Sequence, residues 1–281
     1  SSADEGFALE PEFDCNRVKR WSCAPRHNAH KMPPESCNKP SGGFFVGRKH
    51  GTIGKNEREE GAMKQEKAYY HLPGLFEFYE LYREFLPLYR GHREYFYDWC
   101  SIGSIYGAPA DCIWGGGRTG FGGNDPREVL ALMQEYGISA RLTFSNSLLR
   151  EEHLSDRKCN ALCALFAQSS GVENGVILHS ELLLDYLRTH YPQLYLVSST
   201  TKVLTDFRQL RDETAREEFR YVVPDFRLNK AFEQLDSLTQ PQKDKVEFLC
   251  NECCWVGCRD RKRCYENVSR KNLGEDCPDH I

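Results

Sequence analysis

The residues best suited to chemistry are six cysteines that crowd the end of the chain. They are Cys250, Cys253, Cys254, Cys258, Cys264 and Cys277. The basic stretch 259–263 would lower thiol pKa values and offset the charge of a thiolate-bound metal. Only Cys250 and Cys253 have the spacing of a zinc knuckle. The irregular spacing of the four cysteines from Cys254 onward fits iron–sulfur ligation more easily than zinc, while zinc and free or redox-active thiols stay as alternatives.

The overall cysteine usage favours metal or redox chemistry over a disulfide framework. The chain has 13 cysteines, an odd number, and its beginning lacks the basic-then-apolar order of a secretion signal. The sequence also has no apolar run long enough to span a membrane. We therefore expect a cytoplasmic protein with no membrane partner. The net charge of -4 gives no global attraction to nucleic acid, so an RNA substrate would need a local basic patch.

A second set of candidate residues follows the predicted strands, where parallel α/β folds collect their chemistry. The predicted substrate-binding residues are Arg118, Asn146, His179, Thr200 and Asn251. Arg118 and Asn146 stand out, because neither begins a helix and both can orient an anionic or carbonyl-bearing substrate. His179 fits a core histidine and an acid–base group equally well. Ser180, Thr201 and Asp225 are better explained as helix N-caps than as ligands.

The elements that position these residues alternate between strands and helices. Apolar runs typical of strands lie at 102–109, 111–116, 137–144, 175–180, 194–199, 219–224 and 245–250, with helical patterns between most of them. An amphipathic helix pair broken near Pro87 is predicted before the first run. This alternation predicts βαβ units and a parallel sheet. We expect a TIM-barrel-like α/β fold of six units, short of the eight that close such a barrel.

The chain divides into two parts by composition. Residues 1–70 are rich in Gly, Pro, Lys and Glu and lack a sustained apolar period, which predicts an irregular or partly disordered leader. Residues 71–281 are predicted to form the barrel-like domain with the cysteine cluster at its end. An open doubly wound sheet is the alternative, but no Gly-x-Gly-x-x-Gly turn follows a first strand. The glycines at 115–117 indicate a turn that allows close backbone approach.

The order of several motifs resembles the collagenase-like U-32 peptidase family. The motifs are TFSNSLL, then GVILHSELLLDYLRTHYPQLYLVSSTTK, then FRYVVPDFRLN, then NECCWVGC. The resemblance covers roughly residues 95–281. It implies a TIM-barrel-like fold with a 4Fe-4S cluster held by Cys254, Cys258, Cys264 and Cys277, with Cys253 as an alternative to Cys254.

The resemblance also suggests a reaction. Relatives in that family act in oxygen-independent hydroxylation of RNA bases or quinone precursors, so a modification enzyme with an RNA or small-molecule substrate is expected. The alternative from another class is a zinc-stabilised RNA- or protein-binding module without catalysis. A peptidase is the third possibility, although neither Gly-x-Ser-x-Gly nor His-Glu-x-x-His occurs in the sequence.

Overall fold

The computed structural model describes residues 67–116, 123–168, 171–252, 254–255 and 257–277. Its centre is a sheet of six parallel strands that follow one another in chain order. The strands are β1 (Ala68–Pro73), β2 (Cys100–Gly107), β3 (Ser139–Phe144), β4 (Gly175–Leu178), β5 (Tyr195–Ser198) and β6 (Phe219–Val222). The sheet curls into a half-barrel, so the predicted TIM-barrel-like class is confirmed. The predicted leader lies outside the described residues up to residue 66.

Helices alternate with the strands, as the sequence predicted. They are α1 (Tyr79–Gly91), α2 (Pro126–Tyr136), α3 (Arg157–Ala167), α4 (Glu181–His190), α5 (Phe207–Ala215), α6 (Phe232–Asp236), α7 (Gln240–Lys243) and α8 (Arg261–Asn272). Side chains of Asp125, Asp156, Ser180 and Asp206 accept hydrogen bonds at the starts of α2 to α5. None of the helices in the described part of the chain combines the length and apolar character needed to cross a bilayer.

One set of alternating strand residues packs under the helices and forms the core. On β3 this set is Ala140, Leu142 and Phe144, none of which has exposed surface. Val129 and Met133 of α2 belong to the same core. Because successive strand side chains point to opposite faces, the other set, which includes Arg141 and Thr143, lines the inside of the half-barrel. Strand β3 thus carries an apolar face toward the helices and a polar face toward the inside of the half-barrel.

Four features of the structure differ from the prediction. The apolar run 111–116 is not a strand but a loop of turns after β2. The helix pair broken near Pro87 is wrong: α1 runs through Pro87, because proline removes one helical hydrogen bond while buried Tyr79, Tyr82 and Leu86 hold the helix on the core. A short 3-10 helix, Arg93–Tyr95, takes the place of the second helix of the pair. The strand β1 was not predicted, since its sequence AYYHLP is short and half exposed.

The predicted last strand at 245–250 is the fourth difference. Within the described residues its only ladder pairing is one parallel bridge between Val246 and Val222. Glu247 lies beside this bridge and turns inward to form an ion pair with Arg141. Glu247 also contacts His71 of β1, with 3.2 Å between a carboxylate oxygen and Nε2. The segment therefore contacts both β6 and β1, but it pairs too little to be a strand.

Candidate functional site at the mouth of the half-barrel

Helix α8 crosses the mouth of the half-barrel, at the edge where the strands end. At its start, Arg261 contacts Asp225 beyond β6 and Thr200 beyond β5. At its end, Asn272 donates a hydrogen bond of 2.6 Å to the Gly115 carbonyl, beyond β2. This helix was not among the predicted elements, and Cys264 lies on it. The helix brings the cysteine-rich end of the chain to the edge where α/β barrels hold their active sites.

The centre of α8 is fixed to the end of β3. The Asn146 side-chain amide donates to the carbonyls of Ile113 at 2.8 Å and Ser269 at 3.2 Å. The Ser147 backbone N–H donates to the Ser269 hydroxyl at 3.0 Å. Asn146 and Ser269 have no exposed surface. Asn146 therefore holds α8 and the loop after β2 together.

The start of α8 is fixed by a buried charge cluster. Arg261 lies 3.2 Å from Asp225 and 2.5 Å from Glu252. Arg227 adds a hydrogen bond of 2.6 Å to the Asp225 carboxylate. Burial would raise the pKa of Asp225, but the hydrogen bonds from Arg227 and the charge of Arg261 outweigh it and hold that pKa below its ordinary value. Asp225 is therefore a carboxylate shared by two arginines.

Two of the three predicted helix N-caps are confirmed. Ser180 caps α4 by accepting from the Leu183 backbone, and Asp225 caps the 3-10 helix Phe226–Leu228. Thr201 is not a cap. Ser199 caps the 3-10 helix Thr200–Lys202, because its hydroxyl accepts from the Thr201 backbone.

The predicted substrate residues separate into three groups. Asn146, His179 and Thr200 all lie at the mouth. His179 contacts the Thr201 hydroxyl at 3.0 Å, and burial together with the charges of Lys202 and Lys262 lowers its pKa to about 4. Asn251 is exposed in the segment before α8, and Arg118 lies outside the described residues. The sharing of one pocket by Arg118 and Asn146 stays a prediction.

A cavity of about 150 Å³ opens at the mouth beside α8. Its lining includes Pro73, Tyr106, Thr143, Gly115 and Asn272. The Thr143 hydroxyl is buried and has no hydrogen-bond partner among the described residues. A buried hydroxyl without a partner is costly in an empty cavity and useful to a polar ligand. The cavity is therefore a candidate substrate pocket.

A charged network lies inside the half-barrel, two residues earlier on the strands that line this cavity. Arg141 donates to both Glu247 carboxylate oxygens, at 2.7 and 2.8 Å. His71 contacts Glu247 through Nε2 and the Ser104 hydroxyl through Nδ1, the latter at 2.7 Å. Burial lowers the pKa of His71 to about 4, against the opposing charge of Glu247.

The chain Ser104, His71, Glu247 has the residue types of a hydrolase triad. However, Ser104 has no exposed surface, and Glu247 already forms a bidentate pair with Arg141. These contacts connect β1, β2, β3 and the segment after α7, so the network stabilises the β1 side of the half-barrel.

The cysteines of the predicted cluster lie around α8. The Cys258 carbonyl accepts a hydrogen bond of 3.1 Å from Arg227. Arg227 also lies close enough to the Cys258 and Cys254 side chains to interact electrostatically with their thiolate forms. Cys264 lies in the first turn of α8. The Cys277 sulfur contacts the Asn267 carbonyl at 3.0 Å, one helical turn beyond Cys264.

In the described part of the structure, the four thiols do not lie together in one metal site. Across residues 67–277, apart from the gaps in the description, no three His, Cys, Asp or Glu side chains are arranged to hold a metal ion. Cys253, the alternative ligand, lies outside the described residues. The predicted ligand set stays a prediction.

Sequence reasoning missed Arg141, Thr143 and Arg261. A charged residue within the apolar run of β3 was the available signal for Arg141, because a buried strand charge requires a partner. Arg261 was considered only for its effect on the thiols. Its partners Asp225 and Glu252 are distant in sequence, and no local pattern connects them.

The comparisons with known proteins support the fold. No family model matches the chain, and no curated protein matches it. One solved structure, described as "The Structure of the U32 Peptidase Mk0906", aligns with a TM-score of 0.51 and 14% identity. The alignment covers 80% of this chain and 84% of that chain. At this identity the likeness establishes a U32-peptidase-like fold.

Proposed function

We propose that this chain is an iron–sulfur-binding barrel protein that modifies RNA or a small molecule, with Cys254, Cys258, Cys264 and Cys277 as cluster ligands. The observation that carries the proposal is the position of α8 across the mouth. It puts Cys264, and the cysteines on either side of the helix, at the edge that also holds the cavity and Asn146.

The donor chemistry fits a cluster. All four candidate ligands are thiols, and Arg227 supplies a positive charge beside Cys254 and Cys258. Hydrogen bonding to Asp225 is the main cause of the raised pKa of Arg227, so the residue stays charged. A bound 4Fe-4S cluster would supply one-electron transfer. Because the thiols are spread around α8, binding would require the loop that carries Cys254 and Cys258 to close toward the helix.

Side chains at the mouth of the half-barrel would bind the substrate. The unpartnered Thr143 hydroxyl offers a hydrogen bond inside the cavity. His179, neutral near pH 7 because its pKa is about 4, can accept or donate a hydrogen bond without adding charge. The described cavity lining has no charged side chain, and His179 elsewhere at the mouth is neutral, so both suit an uncharged ring or carbonyl such as a base or quinone-type substrate.

The test is metal analysis of protein purified without oxygen and reconstituted with iron and sulfide. Wild-type protein and Cys163→Ser should bind iron and sulfide and absorb visible light, whereas Cys258→Ser should lose both. Cys163 is the matched control because it is buried on α3. Zinc bound in place of iron would favour the zinc-stabilised binding module, and absence of any bound metal would overturn the proposal.

The modification step has its own test. Total RNA and quinones from cells that express wild-type or Cys258→Ser protein without oxygen would be compared by mass spectrometry. One added oxygen atom should appear only with the wild type. Cleavage of a casein or gelatin substrate instead, unaffected by Cys258→Ser, would favour the peptidase alternative named by the structural neighbour.

A further inference from the structure

Three cysteines outside the predicted cluster meet behind the cavity wall. Cys112 lies in the loop after β2, and Cys159 and Cys163 lie one turn apart on α3. All three are buried, with 2%, 0% and 0% exposure respectively. The Cys112 and Cys159 sulfurs are 3.0 Å apart. A disulfide has an S–S length of about 2 Å, so the two sulfurs need to approach by only about 1 Å to bond.

We propose that Cys112 and Cys159 are a redox-active pair whose disulfide ties the cavity wall to α3. The pair is independent of the proposed function, because it involves none of the four candidate cluster ligands. Nor does it involve the contacts of α8 with Asp225 and Asn146.

The surroundings of the pair favour the neutral form of the Cys159 thiol. Hydrogen bonding to Cys112, followed by burial, raises the pKa of the Cys159 thiol. Cys159 therefore keeps its proton and can share it with the Cys112 sulfur. Burial, and then the charge of Cys112, also raises the pKa of Cys163, so this neighbour stays a neutral thiol. We assign the attack on an oxidant to Cys112, because it alone of the three has any exposed surface and its loop lines the cavity.

Because the thiols are buried, the size of an oxidant decides whether it can reach them. A hydroperoxide as small as hydrogen peroxide can enter where a bulky reagent cannot. The Cys112 thiol attacks one peroxide oxygen, the O–O bond breaks, and a sulfenic acid and water form. The Cys159 thiol then displaces that oxygen as a second water. Two thiols and one peroxide thus give one disulfide and two waters, and the two sulfurs lose two electrons in all.

A Cys112–Cys159 disulfide would affect the cavity through a short series of contacts along the loop after β2. The Gly115 backbone N–H donates to the Cys112 carbonyl at 2.9 Å. Gly115 and the residues 108–110, which belong to the same loop, line the cavity. Gly115 also accepts from Asn272 of α8. Oxidation would therefore fix covalently a wall that hydrogen bonds and core packing now hold, and reduction would release it.

The test maps disulfides in the full-length protein before and after hydrogen peroxide, with free thiols blocked after unfolding. Trypsin leaves Cys112 on peptide 94–118 with Cys100, and Cys159 on peptide 159–188 with Cys163. We expect the two peptides to become linked in wild-type protein and in Cys163→Ser. The link should be absent in Cys159→Ser and Cys112→Ala. A bulky aromatic disulfide reagent should leave all three buried thiols unmodified in folded protein.

Thermal unfolding gives a second measurement on the wild type alone. The link should raise Tm by about 5 to 10 °C, and reduction should reverse the rise. The proposal is overturned if both thiols are still free after peroxide treatment of folded protein. It is also overturned if the link persists in Cys159→Ser, which would mean that Cys163 is the partner.

Discussion

Arg261 of α8 and Asp225 beyond β6 form an ion pair of 3.2 Å in which neither side chain has more than 1% exposure. A buried charge is tolerated only when its partners stay in place, because each partner would otherwise be left without compensation. The pair therefore specifies where α8 begins at the mouth. It also explains how a helix with few apolar residues can hold its position.

Removal of the Arg261 charge should destabilise the fold strongly. Arg261→Met leaves the Asp225 and Glu252 carboxylates near each other without that charge, and should lower the free energy of unfolding by about 3 to 5 kcal/mol. Urea denaturation measures the loss. The control Arg263→Met changes an exposed residue of the same helix and should cost less than about 0.5 kcal/mol. Equal losses in the two variants would contradict the role of the buried pair.

The Arg141–Glu247 pair should show strong energetic coupling. Arg141→Met leaves Glu247 facing the interior beside His71, and Glu247→Gln leaves the guanidinium, 2% exposed, without its carboxylate. Each single change should cost about 3 kcal/mol or more. The double variant should cost at least about 1 kcal/mol less than the sum, as measured by a denaturation cycle. Additive losses would mean that the two charges do not interact as the distances indicate.

His71 inside the half-barrel and His179 at its mouth should make the stability of the fold depend on pH. The pKa values of His71 and His179 are lowered from 6.5 to about 4 in the folded protein, mainly by burial. The unfolded chain therefore binds more protons between these values. Stability should be full above about pH 6.5 and fall toward pH 4, by up to about 1.4 kcal/mol per pH unit for each histidine.

Unfolding free energies across that range would check this expectation. His71→Gln should make the dependence shallower, and His71→Gln with His179→Gln should nearly abolish it above about pH 5, where carboxylates contribute little. Glu181, whose pKa is lowered from 4.5 to about 2 chiefly by its hydrogen bond from Arg216, adds to the slope from about pH 5 downward, so the variants are compared above pH 5. An unchanged slope in the double variant would show that other groups carry the effect.

The regular part of the fold was predictable because it depends on local patterns. The strands β3 to β5 are short apolar runs that are buried almost throughout, and the helices between the strands each bury one apolar stripe. Both patterns are visible in the sequence. Helix α8 was not predicted, because its residues RKRCYENVSRKN lack an apolar stripe. Long-range contacts of Arg261 and Ser269 hold it instead, and such contacts leave no local signature.

The interior polar network shows the same limit. Arg141 is 106 residues from Glu247 in sequence, and Glu247 lies in a segment that the pattern predicted as an ordinary strand. The candidate rim residues Asn146 and His179 were predictable, since each follows a recognisable strand. That Asn146 uses its amide to bind Ile113 and Ser269 could not be predicted, because it depends on where α8 lies.

The loop after β2 should tolerate no added side chain where it passes β3. A Cβ at Gly116 would lie 2.3 Å from the Ser145 carbonyl oxygen and 2.6 Å from the Asn146 backbone nitrogen, so the backbone would have to move. This agrees with the close backbone approach predicted for the glycine turn. Gly116→Ala should therefore cost about 1 to 3 kcal/mol and loosen the cavity wall.

Gly91→Ala is the matched control for this change. Gly91 is the last residue of α1, and nothing lies within 4 Å of a Cβ at that position. Alanine there should leave stability unchanged or raise it by up to about 1 kcal/mol, because alanine loses less backbone freedom on folding than glycine. Denaturation of both variants measures the two changes in the free energy of unfolding. If Gly116→Ala is as stable as Gly91→Ala, the loop after β2 does not pack against the end of β3 as tightly as the 2.3 Å approach requires.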